Sequence, residues 1–390
     1  MKISLPDHIK EIIEKLNSHG YLAYLVGGCV RDSLLSLSPE DFDIATDALP
    51  FVHKKLFSPM KVVETGIKHG TVTVITQGGP VEITTFRTDG RYTDNRHPEG
   101  VTFTGSLTED LFRRDFTINA LAYHPESGII DLFGGRDDLE KGIIRTVGDA
   151  HARFNEDALR ILRALRFCSV LNFQAEKETA LAATELKDLI QNISRERILS
   201  ELKKLICGKN ADNVLSEFSS VINTALGTSG LSFKKSLNDL PPLCDIRFAA
   251  LLSDLKSSDA KQVLQNLKSE KALSTSVEVL LGDIGFLYEN SVSLKKFISE
   301  KGYLHAEKLA QLKKNDIFLK DILRIKEENP CLFIKDLAVN GTDLQKLGIK
   351  SENIGKILNA LLSLVIEGNL LNKRAFLLAE AEKLNNAKAL

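Results

Sequence analysis

LVGGCVRDSLL at residues 25–35 and PEDFDIATDA at residues 39–48 decide the reading of this 390-residue chain. Residues 21–26 are apolar and β-prone and read as a strand that ends in Gly27-Gly28. A helix follows over 31–36, and 41–46 reads as a second strand carrying Asp41 and Asp43. Side chains two apart on a strand leave the same face, so the two carboxylates project together. Such a pair can share hard, oxygen-seeking Mg2+ ions. It suits two-metal phosphoryl transfer, in which one ion activates a hydroxyl and another steadies the leaving pyrophosphate. Gly27 and Gly28 let the backbone come close to phosphate oxygens at a helix start. Arg31, one turn further on, can reach a triphosphate with a forked donor. An isolated Asp-x-Asp is mostly solvated surface, and an isolated Gly-Gly is mostly a turn. Their order and spacing together point to a nucleotide site.

Outward from this core, 7–18 and 50–57 read as helices, and 61–64, 71–76 and 81–86 as strands rich in Val, Ile and Thr. Gly78-Gly79 marks a hairpin turn. Glu82 is a candidate third carboxylate, or simply an outward-facing strand residue. The polar stretch 87–106, RTDGRYTDNRHPEGVTFTGS, reads as a mobile loop. LFRRDFTINALAY (111–123) sets Arg113, Arg114 and Asp115 against small and apolar residues. Either Arg114 meets ribose or phosphate, with Asp115 and Asn119 as orienting partners, or Asp115 caps a helix beside an exposed Arg pair. Beyond Asp149 strand signals disappear and helical spacing takes over, with Pro241-Pro242 and Pro330 as breaks between helical blocks. The expectation is an α+β front and an all-helical rear.

FNEDALRILRALRF (154–167) opens the helical part. Asp157, Arg160, Arg163 and Arg166 recur every three residues, which on one helix makes a slowly turning stripe. An Asp–Arg pair can read a base edge: the carboxylate accepts from an exocyclic amino group, and the guanidinium donates to the neighbouring ring nitrogen. Cytosine and adenine share that order, whereas uracil and guanine reverse it. One protein surface would then admit CTP and ATP and refuse UTP and GTP. The competing reading is an i,i+3 salt-bridge ladder on a solvated helix.

Composition narrows the class further. A hydrophobic share of 43% and a charged share of 26% fit an ordinary globular protein. Five scattered cysteines without a CxxC pair offer neither a zinc ribbon nor a disulfide framework. MKISLPDHIKEIIEKL is an amphipathic helix pattern without the apolar stretch of a signal peptide, and no 18-residue apolar run exists to span a membrane. The expectation is a reduced, cytoplasmic protein with no membrane partner. The net charge of −1 divides into −6 over residues 1–150 and +5 over 151–390. An acidic front suits divalent metal and a basic rear suits a polyanion such as RNA, although a chance fluctuation of surface charge explains the split as well.

Taken in order, GGxVRD, DFDIATDA, RRDFTINALA and EDALRxLRxxRF resemble the class II tRNA nucleotidyltransferase and bacterial poly(A) polymerase family, and within it the Gram-positive-type CCA-adding members. The resemblance is dense over residues 20–205, including TTFRTDGRYTDNRHPEGVTF and DLFGGRDDLEKGIIRTVGDAHARF. It is weaker at ISRERILSELKKLI and at LAVNGTDLQKLGIKSENIGKIL (337–358). It implies a polymerase-beta-like head with a mixed sheet over residues 1–140. A helical neck recognising the base (141–206), a body (207–305) and a tRNA-binding tail (306–390) would follow. It implies Asp41 and Asp43 as catalytic ligands for Mg2+, and Gly28, Arg31 and Arg114 as contacts to the phosphates and sugar. Asp157 and Arg160 resemble the family's base-reading pair, with Arg163 and Arg166 as further nucleotide contacts.

The implied activity is addition of CCA to the tRNA 3′ end from CTP and ATP, without a nucleic-acid template. CC-adding relatives typically carry a shortened loop where 87–106 looks complete, and poly(A) polymerases carry longer basic ends than LAEAEKLNNAKAL. A-adding enzymes share nearly the same motifs. A tRNA-binding protein with an inactive head is the non-enzymatic alternative, and the presence of both strand carboxylates speaks against it. Cys29 stands where small residues are usual. After His151 only His305 remains, so the His-Asp phosphohydrolase domain of some relatives is absent. In the tail, GIKSENIGK (348–356) is the first candidate to grip phosphate, with Lys350 and Lys356 around a helix start near Ser351. Oligomeric state is left open.

Overall fold

Alternating Val, Ile and Thr build the sheet that carries the site. Its strands are β1 (Ala23–Val26), β2 (Asp43–Thr46), β3 (Lys61–Val63), β4 (Thr71–Thr76) and β5 (Gly79–Thr85). After a separate two-stranded ribbon, β6 (Arg87–Asp89) with β7 (Val101–Phe103), come β8 (Leu121–His124) and β9 (Gly128–Asp131). The seven-stranded order is β3-β4-β5-β2-β1-β8-β9, antiparallel throughout except for the parallel pair β2–β5, so the sheet is mixed. Val72, Val74, Val81 and Ile83 point inward at every second position. On the central β2, Ile44, Ala45 and Thr46 are all buried, as expected of a strand covered on both faces. The structure, a computed structural model, describes residues 3–90 and 100–387.

Helices α1 (Asp7–Ser18), α2 (Gly28–Leu34), α3 (Pro50–Leu56), α4 (Leu107–Phe112) and α5 (Gly135–Lys141) accompany the sheet. On α1, Ile9, Ile12, Ile13 and Leu16 form the buried stripe that its spacing predicts. Val26, Ala45, Phe86, Leu111, Ala120, Ala122 and Val147 make a core cluster that ties β1, β2 and β8 to α4. A short parallel pair, β10 (Ile143–Ile144) with β11 (Gln174–Ala175), flanks α6 (Ala150–Glu156) and α7 (Leu159–Leu171). Then α8 (Lys177–Glu185), α9 (Arg195–Ile206), α10 (Ala211–Glu217) and α11 (Ser219–Leu226) complete the first of two compact units, Met1–Asn238 with Val263–Glu270. The second unit, Asp239–Gln262 with Lys271–Leu390, is helical and ends in Ser351–Ile366 and Arg374–Ala387. The first of these two helices begins at Ser351, as read from sequence, with Lys350 and Lys356 exposed. Among the described residues no helix is long and apolar enough to cross a membrane.

Several expectations need correction. The helix after Gly27 starts at Gly28 rather than 31, and β2 starts at Asp43, so Asp41 lies in the exposed lead-in. The β4–β5 turn is Gln77-Gly78, with Gly79 already opposite Thr76 in the ladder. Thr76 Oγ1 accepts the Gly78 N–H (3.1 Å) and donates to the Gly79 carbonyl (2.7 Å). The loop expected over 87–106 is a β-ribbon at its described ends; residues 91–99 lie outside the described residues. β8 and β9 went unread because four-residue strands containing Ala and Gly give little periodicity. β11 lies beyond Asp149, where the sequence predicts helices alone. Asp157 is not on the helix of the arginine stripe. Its backbone is extended (φ −137°, ψ 104°) between α6 and α7, where its Oδ1 accepts the Leu159 N–H at 3.0 Å.

One buried histidine makes folding pH-sensitive. His53 on α3 is fully buried, and neither ring nitrogen makes a hydrogen bond of normal geometry. The nearby Ala48 carbonyl already accepts from Thr85 Oγ1 (2.7 Å). Burial pushes the imidazole down to about 4, with the Ala48 backbone only partly opposing. The unfolded chain, with His near pH 6.5, therefore takes up this proton first. The stabilisation is complete above about pH 6.5 and is lost as pH falls toward 4, roughly 3 kcal/mol in all. Urea denaturation from pH 4 to 7 should show that loss in the wild type and a correspondingly flatter profile in His53→Leu. Parallel profiles would contradict it.

Candidate active site

The site grows from the turn between β1 and α2. Gly27 sits at φ +76°, which favours glycine, and its N–H donates to the Leu121 carbonyl of β8 (3.1 Å). A Cβ there would lie 2.8 Å from Arg114 Nη1, so glycine also lets that guanidinium approach the turn. Arg31, on the first turn of α2, forks onto Asp32 (Nε–Oδ1 2.8 Å, Nη2–Oδ2 2.9 Å), and its Nη1 donates to Asn119 Oδ1 at 2.7 Å. Asn119 Nδ2 donates to Asp115 Oδ1 (3.0 Å), while Asp115 Oδ2 accepts from Arg163 Nε (2.8 Å) and Nη2 (2.6 Å). Burial alone would raise the Asp115 carboxyl. The Arg163 charge, the Asn119 and Arg163 hydrogen bonds and the Arg160 charge instead hold it down at about 2.

Phe167 gives the guanidiniums a shared surface. Arg166, Arg31 and Arg163 lie 4.1, 5.0 and 5.5 Å from its ring centroid. Arg166 also pairs with Glu201 of α9 (Nε–Oε2 3.1 Å).

Gly27, Gly28, Arg31, Asp41, Asp43, Arg114, Asp115, Asn119, Arg163, Arg166 and Phe167 all line one cavity of about 910 Å³. The sequence-derived phosphate residues and the paired carboxylates are thus brought together. Burial pushes Asp43 up to about 6, helped by the charges of Asp41 and Glu82 and opposed by Arg114. Glu82 is the register partner of Asp43 on β5, so it acts on Asp43 electrostatically. Among the described residues, however, no group of three or more His, Cys, Asp or Glu is arranged to hold a metal ion.

Asp157 and Arg160 are placed differently. Neither lines the cavity. Asp157 Oδ2 accepts from Arg197 Nη2 at 3.0 Å. Arg160, 8% exposed, donates to Glu156 Oε2 (2.5 Å) and to the carbonyls of Arg153 (3.2 Å) and Arg113 (3.0 Å). The two are not paired with each other; each holds another partner. Sequence reasoning also missed Asp32, Phe167, Lys204 and Glu201. Asp32 adjoins Arg31 in sequence, and neighbours on a helix do not ordinarily face each other. Glu201 stands in ISRERILSELKKLI, three turns of helix with no spacing that ties it to Arg166.

Comparison with known proteins shows the family. The Poly A polymerase head domain family matches residues 23–145, and tRNA nucleotidyltransferase domain 2 matches 246–381. A protein of Ligilactobacillus salivarius (strain UCC118) named CCA-adding enzyme is 38% identical, over 99% of this chain and 99% of its own. A CCA-adding enzyme of Streptococcus mutans is 37% identical, over 96% and 97%. The crystal structure of the Bacillus stearothermophilus CCA-adding enzyme in complex with CTP superposes with a TM-score of 0.83 at 31% identity, covering 99% of both chains. With this kinship along its whole length, and a nucleotidyltransferase head followed by helices, the chain belongs to the CCA-adding enzymes, a family of divalent-metal-dependent nucleotidyltransferases.

Proposed function

We propose that this chain completes tRNA 3′ ends in the cytoplasm, adding two cytidines from CTP and one adenosine from ATP with release of pyrophosphate and without a nucleic-acid template. One observation carries the reading: a single cavity is lined both by the carboxylates of Asp41 and Asp43 and by the guanidiniums of Arg31, Arg114, Arg163 and Arg166. A triphosphate that arrives with a divalent ion needs both. The proposed division of labour is a head over 1–140, a base-recognising neck over 141–206, a body over 207–305 and a tRNA-binding tail over 306–390. Lys350 and Lys356 are candidate phosphate contacts in that tail.

Mg2+ suits Asp41 and Asp43 as catalytic ligands. Burial, with the charges of Asp41 and Glu82, pushes the Asp43 carboxyl up to about 6, and a cation beside it would favour its ionised form. One or two carboxylates is the usual protein share for Mg2+, with water and substrate phosphate supplying the rest. When bound, the ion polarises the phosphoryl oxygens and makes the attacking 3′ hydroxyl more acidic. Gly28, Arg31 and Arg114 would orient the phosphates and sugar, and Arg163 and Arg166 would add further nucleotide contacts. Asp115 and Asn119 hold Arg163 and Arg31 where that alignment requires them. For base reading, Arg160 would exchange Glu156, and Asp157 would share or leave Arg197, for the edge of cytosine or adenine. Uracil and guanine present the reverse order and would leave buried donors unpaired.

Incubation with tRNA lacking CCA and radiolabelled CTP and ATP tests the activity: label from both nucleotides should enter the tRNA. Asp41→Ala and Asp43→Ala should each slow incorporation about a thousandfold or more, since metal stabilisation is worth several kcal/mol. A filter-binding assay should find their tRNA affinity within about twofold of wild type, because these carboxylates would hold metal rather than RNA. Full activity of Asp43→Ala in saturating Mg2+ would remove the metal assignment.

Base selection has its own test. Asp157→Ala and Arg160→Ala should weaken discrimination against UTP and GTP roughly tenfold or more, as a bidentate base contact is worth about 1–3 kcal/mol. Competition between the four nucleotides on a tRNA primer measures this. Unchanged selectivity would reduce the two residues to structural ion pairing.

A further inference from the structure

Asp110, in the last turn of α4, is the most deeply buried carboxylate among the described residues, at 1% exposure. It does not line the nucleotide cavity. Its Oδ1 accepts from Arg113 Nε (3.0 Å), Arg113 Nη2 (2.8 Å) and the Arg87 N–H (3.3 Å). Its Oδ2 accepts from Arg114 Nη2 at 3.3 Å. Burial would raise the Asp110 carboxyl, but the charges of Arg114 and Arg113 hold it below the ordinary carboxylate range, so it stays ionised.

Arg114 is the residue through which this matters. Its Nη2 is turned back to Asp110, while its Nη1 reaches the Gly27 turn and its buried Nε has no hydrogen-bond partner. The guanidinium is therefore anchored to Asp110 by one edge only, and Arg114 lines the cavity. Arg113, which donates twice to one oxygen of the same carboxylate, lines a different hollow with Phe112, Phe133 and Arg153. We infer that Asp110 is a positioning residue for nucleotide binding, a buried counter-charge that sets the place and direction of the Arg114 guanidinium. The inference rests on the reading of Arg114 as a nucleotide contact.

A double-mutant cycle on CTP affinity tests it, using the full chain, Mg2+ and equilibrium dialysis with labelled CTP. Asp110→Asn keeps the shape but removes the charge. It should raise the Kd for CTP about tenfold, as loss of a charge-assisted hydrogen bond does. Arg114→Ala should raise it at least as much, and the double variant should match Arg114→Ala within about twofold. Asp110→Glu, which restores the charge, should recover part of the affinity and serves the same cycle should Asp110→Asn unfold. Wild-type Kd in Asp110→Asn, or a full further tenfold loss in the double variant, overturns the positioning role. Wild-type Kd in Arg114→Ala instead overturns the contact reading on which it rests.

Discussion

The ion pair between Asp115 and Arg163 is the constraint on which the candidate site depends. It joins the segment that leads into β8 to the long helix α7, and through Asn119 it reaches Arg31 on α2. Taking two charges out of water is costly, and the cost is offset only where geometry is good and the remaining lone pairs are used. Both Asp115 oxygens are used here: one by Arg163, the other by Asn119 and the Phe116 N–H. Losing either partner would strand a largely buried charge.

The same logic extends to the other cations. Four guanidiniums around one cavity repel each other, and each meets a carboxylate: Arg31 with Asp32, Arg114 with Asp110 (shared with Arg113), Arg163 with Asp115 and Arg166 with Glu201. The cationic wall is thus assembled and held before any anion arrives, which is what electrostatic preorganisation means physically. Among the described residues Asp41 and Asp43 have no such matching cation fork. Asp43 feels Asp41 and Glu82 against a single opposing influence from Arg114. The contrast between matched cations and under-matched carboxylates supports the proposed placing of metal at Asp41 and Asp43 and of phosphate at the arginines.

Much of this was legible in the sequence because it depends on local order. GGCVRD before DFDIATDA fixes a strand, a glycine turn, a helix and a carboxylate strand, and the structure brings Gly27, Gly28, Arg31, Asp41 and Asp43 to one cavity. Glu82 could not be decided from its strand alone, because its importance comes from parallel pairing of β5 with β2. The even spacing of Asp157, Arg160, Arg163 and Arg166 suggested one stripe, yet Asp157 uses its carboxylate to start α7 rather than to ride on it. Arg160 turns to Glu156 and two carbonyls, partners that no spacing rule connects with a base-reading role. Asp110 lies three and four residues before the arginines it meets, a spacing the sequence does show, whereas Glu201 is invisible in one dimension, since an acidic residue on a helix announces nothing about which distant arginine it meets.

Sequencing the 3′ ends made from tRNA that lacks all three terminal nucleotides, with the four nucleoside triphosphates present together, tests most directly whether protein side chains alone choose the sequence. The account predicts ends that read CCA and stop, with uridine and guanosine essentially absent. Homopolymeric adenosine tails, a single adenosine, cytidines without adenosine, or random additions would contradict it.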